Sequence, residues 1–336
     1  MEFALFLTGG LWAMAARTAA DHSADGFAVH FHIDLYEPLL AAAFLVFLLL
    51  TGFAAIHWIA THGATLRGVN ALPLRSTAVR EWGLGAAIGW ALLVAATLPM
   101  MLFGDLHPHF WFQPRGFGLA LLSVLTLLVL TLAQEAVFRG YLFGRLIRAI
   151  GPTLATLLMS CIYATVSSFH PQSTPRNVFV MFLMSLLFSM AYLRTHALWL
   201  PWGLHFAWSA CTAVLFGLPL GGSIAFNSIV DTSSSGFDWV TGGLYGPEGS
   251  LFTAVAVLVG MGILYALTRD LAWAYTQPVI VAAGYPMDVA PPAEHIKMEQ
   301  AAAVAPLVQI LSTTPSASST MPIIDEHLRS NSPSDT

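Results

Sequence analysis

Residues 117–150 read FGLALLSVLTLLVLTLAQEAVFRGYLFGRLIRAI, and this stretch decides the fold class. Residues 117–133 are apolar apart from isolated hydroxyl groups, and they approach the roughly 20 residues that a membrane-spanning helix needs. The same run continues without a helix-breaking residue into Gln134, Glu135 and Arg139. Because a carboxylate and a guanidinium are costly to bury in such a helix, they are candidates for function.

The composition of the whole chain indicates a membrane protein. Of its 336 residues, 57% are hydrophobic and 9% are charged, and the mean hydropathy is +0.71. A soluble domain carries about 25% charged residues, so this deficit excludes an ordinary water-soluble protein. The 13 lysines and arginines form no basic cluster, and no nucleic-acid partner is expected.

Apolar stretches of spanning length recur along the chain. There are seven of them: Pro38–Ala60, Gly83–Phe103, Phe117–Ala133 continuing toward Ile150, Pro152–Ser168, Asn177–Arg194, Pro201–Leu218 and Ser250–Leu267. The chain is therefore predicted to be all-α, a polytopic bundle of about seven transmembrane helices. The polar spikes in the shorter stretches indicate helices that line a cavity rather than face lipid.

The two ends of the chain differ in character from this bundle. Residues 1–37 have an apolar core but lack the positive start of a signal peptide, so we predict an interfacial helix. Residues 278–336 are rich in Pro, Ala, Ser and Thr and are predicted to be largely disordered, with a short helix near Ala301–Leu311. The membrane domain is accordingly placed at 38–277.

Arginines cluster in two of the predicted connections. Arg67, Arg75 and Arg80 follow the first span, whereas Arg145 and Arg148 close the third. Since Lys and Arg are enriched in cytoplasmic loops, both connections are predicted to face the cytoplasm.

A second polar residue is predicted to lie level with Glu135. Glu135 precedes the turn at 151–152 by 14–16 residues, and His170 follows it by 18. At 1.5 Å per residue, the helix rises roughly 21–24 Å from Glu135 to the turn and returns about 27 Å to His170. An antiparallel hairpin therefore brings the two to nearly the same depth, where the imidazole is a plausible acid/base partner.

A third polar group lies in the segment LWLPWGLHFAWSA. Pro201 favours an extended or broken entry into the helix. His205 and Ser209 then stand four residues apart and share one helical face. A histidine within a membrane helix often forms an interhelical hydrogen bond. Its occurrence with a glutamate and a second histidine favours a functional cluster.

These motifs together resemble the family of CAAX prenyl endopeptidases and bacteriocin-processing proteins, which includes the Ras-converting enzymes and abortive-infection-type membrane proteins. The family pattern is Glu-Glu-x-x-x-Arg, then Phe-x-x-x-His, then His-x-x-x-Asn. Here these read QEAVFR (134–139), VSSFH (166–170) and HFAWS (205–209). The resemblance covers roughly Phe117–Leu267, including FRGYL and DWVTGGLYGPEGS.

Three positions depart from the family pattern, namely Gln134, Val166 and Ser209. The resemblance implies that the first glutamate activates water with the second-motif histidine, and Gln134 takes that glutamate's place. An amide cannot act as a general base, whereas a carboxylate in an apolar pocket can. Either Glu135 takes over the role, or the protein is a non-cleaving relative. The Ser209 hydroxyl can still donate to an oxyanion.

The resemblance implies an intramembrane endopeptidase. Glu135, oriented by Arg139 and with His170 nearby, would activate a water molecule. His205 and Ser209 would stabilise the tetrahedral oxyanion. The implied partners are membrane lipid and a protein or peptide substrate, lipid-modified in one branch of the family. The resemblance to bacterial members implies a multi-pass protein of the cytoplasmic membrane.

Three alternatives stay open. Glu135, His170 and His205 supply the number of protein ligands of a catalytic zinc site, although HExxH is absent; we favour the metal-free reaction. A membrane scaffold or immunity-type protein would keep the cavity but lack the base at Gln134. A transporter would explain the break at Pro201 but lacks visible inverted repeats.

Overall fold

The structure of the protein is a computed structural model. It describes residues 1–61, 69–104, 106–110, 114–269, 279–280, 286–287 and 297. Residues Met1–Ala272 form one compact unit, and Trp273–Thr336 form a second. The helix predicted near 301–311 and most of the predicted tail lie outside the described residues.

The first unit is built mainly from helices. Their bounds are α1 (Glu2–Phe31), α2 (Glu37–Thr61), α3 (Ala78–Phe103), α4 (Pro114–Glu135), α5 (Leu142–Ile150), α6 (Pro152–Ser168), α7 (Pro175–Thr195), α8 (Trp199–Ala210), α9 (Asp238–Thr241) and α10 (Leu251–Leu267). Two of them continue as π-helix: α4 through Ala136–Tyr141, and α8 through Cys211–Leu215. Short 3-10 turns lie at Asp34–Tyr36, Gly243–Tyr245 and Pro247–Gly249.

Five helical segments are long and apolar enough to cross a membrane. They are Glu2–Phe31, Asp34–Thr61, Ala78–Phe103, Gly116–Ile150 and Pro175–Thr195. Helices α6 and α10 are apolar but shorter. The prediction of an all-α, multi-pass membrane bundle is confirmed.

Helix α1 lies in the region for which the sequence predicts an interfacial helix. It has 30 residues, packs along α2, and suffices in length and composition for a span. Its small residues make this packing possible: Ala16 and Ala20 are fully buried. Charged residues within the helix, such as Arg17 and Asp21, lower its hydropathy and made it inconspicuous as a span in the sequence.

The loops gather at two ends of the bundle. At the first, which we call the arginine end, Arg75 donates to Thr195 O over 3.0 Å and Arg194 donates to Thr268 O over 3.3 Å. These bonds join the segment before α3, the end of α7 and the end of α10. At the same end, Arg145 of α5 forms an ion pair with Glu2, the first residue of α1, at 3.1 Å.

The opposite end, which we call the loop end, contains the sheet of the first unit. Strand β1 (Leu106–Phe110) pairs antiparallel with β2 (Val230–Ser234), so that His109 lies opposite Asp231. The segment between α8 and α10 covers this end, and Arg176 at the start of α7 donates to Gly249 O. In the second unit, β3 (Val279–Ile280) pairs antiparallel with β4 (Pro286–Met287).

Two apolar cores stabilise the bundle. One contains residues of α3, α7, α8 and α10, including Trp208 and Phe188. The other contains residues of α1, α2, α5 and α6, including Phe53 and Phe143. All four of these aromatic side chains are fully buried.

Glycines bring α3 and α8 into backbone contact. A Cβ added at Gly85 would lie 2.1 Å from Leu200 O, and one at Gly203 would lie 2.1 Å from Trp82 O. Close approach through small residues is the usual packing mode of membrane helices, which lack a hydrophobic driving force between them. This contact fixes the part of α8 that carries His205.

Candidate functional site

Glu135 is the last residue of α4, and the π-helical turn begins directly after it. Both Glu135 and Arg139 have fully buried side chains, and Arg139 Nη1 lies 3.3 Å from Glu135 Oε1. A π-turn widens the helix locally and is frequent at functional sites. Arg139 therefore contacts the carboxylate that it is expected to orient.

Arg139 connects three helices. Its Nη2 donates to Ser185 Oγ over 2.7 Å, and its guanidinium lies over the rings of Tyr163 and Phe188 at 4.8 and 5.0 Å. Cation–π contacts of this kind are strongest where the cation is desolvated. The buried charge is thus compensated by a carboxylate, a hydroxyl and aromatic faces.

His205 lies directly beside the carboxylate. Its Nδ1 is 2.7 Å from Glu135 Oε1, and its ring stacks on Phe188 with centroids 4.7 Å apart. Since a carboxylate only accepts hydrogen bonds, we assign the proton to Nδ1. Nε2 has no hydrogen-bond partner among the described residues. The side chain retains 8% exposure.

The two oxygens of Glu135 have different environments. Oε1 accepts from both Arg139 and His205. Oε2 is buried and accepts no hydrogen bond from the part of the chain that is described. A buried acceptor without a donor is costly, so this oxygen is suited to accept a hydrogen bond from a small polar molecule.

His170 lies at the loop end and takes no part in these hydrogen bonds of Glu135 and Arg139 among the described residues. Its ring meets Tyr245 edge-on at 6.0 Å, and Gly222 lies so close that an added Cβ would be 2.5 Å from His170 Cε1. No hydrogen bond in the described ranges joins His170 to Glu135 or His205. The structure therefore brings Glu135 together with His205, and His170 together with the loop covering the bundle.

The remaining predicted residues are adjacent to the site. Gln134 is half-buried, and none of the described hydrogen bonds involves its amide. Ser209 is buried one helical turn beyond His205, as its spacing predicted. Neither residue touches Glu135 through a hydrogen bond in the described segments.

The alternative zinc ligands do not converge in this conformation. Within the described residues, no three His, Cys, Asp or Glu side chains are arranged to hold a metal ion. Glu135 and His205 form a pair, but His170 packs against the loop end instead. The geometry therefore does not fit the predicted three-ligand set.

Several residues of the site were not found from the sequence. Ser185 and Tyr163, which contact Arg139, lie in α7 and α6. Ser185 is a polar residue within an apolar span, and this is a weak indication that its side chain contacts a functional site. The sequence offered no sign that Tyr163 faces the arginine rather than lipid.

Glu248 is a further buried acid, in the loop that precedes α10. It is 5% exposed and accepts hydrogen bonds from Trp208 Nε1 at 3.1 Å and from Gly221 N at 2.8 Å. Burial raises the pKa of this carboxyl, and the two N–H donors oppose the rise. Its contacts are distant in sequence, so the motif GPEGS gave no basis for assigning it.

Comparison with protein families gives one match. Residues 116–211 match the family described as Type II CAAX prenyl endopeptidase Rce1-like. The matched segment contains all three motifs and confirms the family predicted from them. It ends before the glycine-rich loop, to which the predicted resemblance extended. A search of curated proteins finds no similar protein.

Proposed function

We propose that this multi-pass membrane protein, whose residues 116–211 carry an Rce1-like CAAX-protease segment, is an intramembrane endopeptidase. The observation that supports this most strongly is the hydrogen bond between Glu135 and His205. It joins the first and third motifs of the matched segment in a buried polar site. A site of this kind within a membrane bundle is costly and therefore indicates function.

In the proposed reaction, Glu135 Oε2 takes a proton from a water molecule. The water oxygen bonds to the peptide carbonyl carbon, the C–N bond then breaks, and the proton passes to the leaving amine. Arg139 orients Glu135 through its hydrogen bond to Oε1. The buried setting is the kind in which a carboxylate serves as a general base near neutral pH.

Two donors are proposed for the oxyanion. Protonated His205 would donate through Nε2 while its Nδ1–H stays on Glu135, and the Ser209 hydroxyl would donate from the next turn. One such donor is worth about 3–4 kcal/mol in the transition state. His170 is proposed as a second acid/base group that reaches the substrate from the loop end.

The proposed substrate is a membrane-associated protein or peptide, including the lipid-modified chains for which the family is named. Helix α4, which carries Glu135, exposes the apolar side chains of Leu121 and Leu125, and a substrate held in the bilayer is proposed to approach the site along this helix. The cytoplasmic membrane is the proposed location.

Mapping of new protein termini tests this proposal and identifies the substrate in the same experiment. Membrane proteomes would be compared among cells that lack the protein and cells that produce wild type, Glu135→Ala, His170→Ala or Arg148→Ala. We expect the same new termini in cells that produce wild type or Arg148→Ala. These termini should be absent from cells that produce Glu135→Ala or His170→Ala. Unchanged termini in both site variants would exclude this site.

We further propose that the reaction needs no metal ion. Metal analysis of the purified protein and its activity in the presence of a chelator test this point. We expect activity to persist after chelation. A stoichiometric metal whose removal abolishes cleavage would refute the metal-free proposal.

A non-cleaving scaffold or immunity-type protein is the second candidate, and Gln134 is the observation that favours it. Its amide cannot replace the family's first carboxylate. Restoring the acid with Gln134→Glu separates the candidates. Cleavage that appears only in this variant would support the scaffold, whereas cleavage by wild type would support the protease.

A further inference from the structure

Glu248 joins two parts of the molecule that are far apart in sequence. One carboxylate oxygen accepts from the indole of Trp208 on α8, and the other accepts from the backbone of Gly221. Both donors are N–H groups, which a deprotonated carboxylate satisfies together. A buried carboxylate with both oxygens occupied is a rigid connection.

The Gly221–Gly222 turn, which this connection holds, lies against His170. Gly222 has φ +81°, and a Cβ there would approach the imidazole to 2.5–2.6 Å. Gly222 N donates to Tyr245 O over 2.9 Å, and the Tyr245 ring meets His170 edge-on. The turn and the tyrosine thus enclose one side of the histidine.

The other end of the connection lies within the third motif. Trp208 is fully buried between His205 and Ser209 in the sequence of α8. The Glu248 carboxylate therefore links the turn that packs against His170 to α8, the helix that carries the proposed oxyanion donors.

We propose that Glu248 is a positioning residue, which holds the Gly221–Gly222 turn against His170 and so sets His170 relative to His205. The effect of Glu248 on catalysis rests on the proposed function. The hold on His170 itself is a structural property that can be measured without activity. Glu248 does not touch the reacting atoms in this scheme.

Other bonds fasten the same loop and supply a matched control. The Thr253 hydroxyl, fully buried, donates to Pro247 O over 2.6 Å. Thr253→Val removes this bond at nearly constant volume and leaves the Gly221–Gly222 turn untouched. If Glu248 acted only on stability, E248Q and T253V would have similar consequences.

The test measures how fast diethylpyrocarbonate modifies His170 in the full-length protein in nanodiscs. Mass spectrometry reads His170, with the exposed His30 as internal reference. In E248Q, the amide nitrogen faces an N–H donor, and one of the two bonds is lost. We expect roughly fivefold faster modification of His170, the factor for one buried hydrogen bond, and a rate near wild type in T253V.

W208F provides a second variant if E248Q fails to fold, because it removes the indole donor and keeps an aromatic ring at this position. It should also accelerate modification of His170. Equal rates in wild type and in the folded variants would overturn the inference. So would a T253V rate as high as that of E248Q.

Cleavage kinetics then test the catalytic meaning. We expect E248Q to lower kcat roughly tenfold with little change in KM, and to have no further effect in a His170→Ala background. Additive losses in the double variant would overturn the positioning role. If wild type cleaves nothing but E248Q still accelerates the modification of His170, the protease proposal fails. The proposal that Glu248 holds the turn against His170 then stands.

Discussion

At the scale of single residues, one carboxylate oxygen determines the site. Glu135 Oε1 accepts from both Arg139 and His205, and all three side chains are buried. Removing one partner of a buried ion pair leaves the other charge uncompensated, which costs more than the pair contributes. The network is therefore sensitive to any single substitution.

Arg139→Met tests this sensitivity. We expect it to lower the free energy of unfolding by about 3–5 kcal/mol, because Glu135 would stay buried without its cation. Arg148, which is 54% exposed, is the control. Arg148→Met should change stability by no more than about 1 kcal/mol. Similar losses in chemical denaturation of both variants would contradict this interpretation of the buried pair.

Glu248 gives a pH-dependent prediction. Its pKa is raised above 4.5 in the folded protein, so the folded state binds the proton more tightly than the unfolded state. Stability relative to E248Q is then highest below pH 4.5 and falls as the pH rises through the raised pKa. Melting temperatures of both proteins across this range measure the difference. A difference that grows in favour of wild type with rising pH would contradict this sign.

At the scale of helices, glycines decide how closely α3 and α8 approach. Gly85 meets the backbone of α8, whereas Gly83, two residues earlier on the same helix, has no neighbour within 4 Å of an added Cβ. Comparing alanine substitutions at Gly85 and Gly83 therefore separates the effect of the close helix contact on stability from the general effect of replacing glycine in a helix.

Gly85→Ala should force α3 and α8 apart and move His205. We expect a clear drop in melting temperature and in cleavage. Gly83→Ala should leave both intact or raise stability by up to ~1 kcal/mol, since alanine favours helix over glycine. Thermal unfolding in detergent checks both variants, and equal behaviour of the two would contradict the packing.

The sequence predicted the helical elements and the local part of the site well. Continuous apolar stretches identified the spans other than α1, and four-residue spacing placed His205 and Ser209 on one face of a helix. The equal-depth estimate for His170 used straight helices, but a π-turn follows Glu135, and His170 packs under Gly222. The contacts of His170 at the loop end are made by Gly222 and Tyr245, which are far from it in sequence. No local sequence pattern predicts such contacts.

At the scale of the whole molecule, the two ends have different chemistry. Arg75, Arg145 and Arg194 lie with their partners at one end, and the β1–β2 pair and the glycine-rich loop lie at the other. Because positive residues favour the cytoplasm, the arginine end is expected to face inward. A substrate would then meet His170 on the opposite side from Arg148.

Cysteine labelling tests this orientation. In a background without Cys161 and Cys211, Arg148→Cys should react with an impermeant maleimide only from the cytoplasmic side, and Ser233→Cys only from the other side. Both positions are exposed. Labelling of both from one side would contradict the arrangement of the two ends.

The proposed activity depends most on Glu135 and His205 acting together on a peptide bond. The direct measurement is cleavage, in proteoliposomes, of a peptide that spans a site found by terminal mapping. We predict that Glu135→Gln and His205→Ala each lose at least about 100-fold in rate, as removal of a general base or an oxyanion donor does, while Arg148→Ala cleaves like wild type. Wild-type rates in both site variants would contradict the central claim.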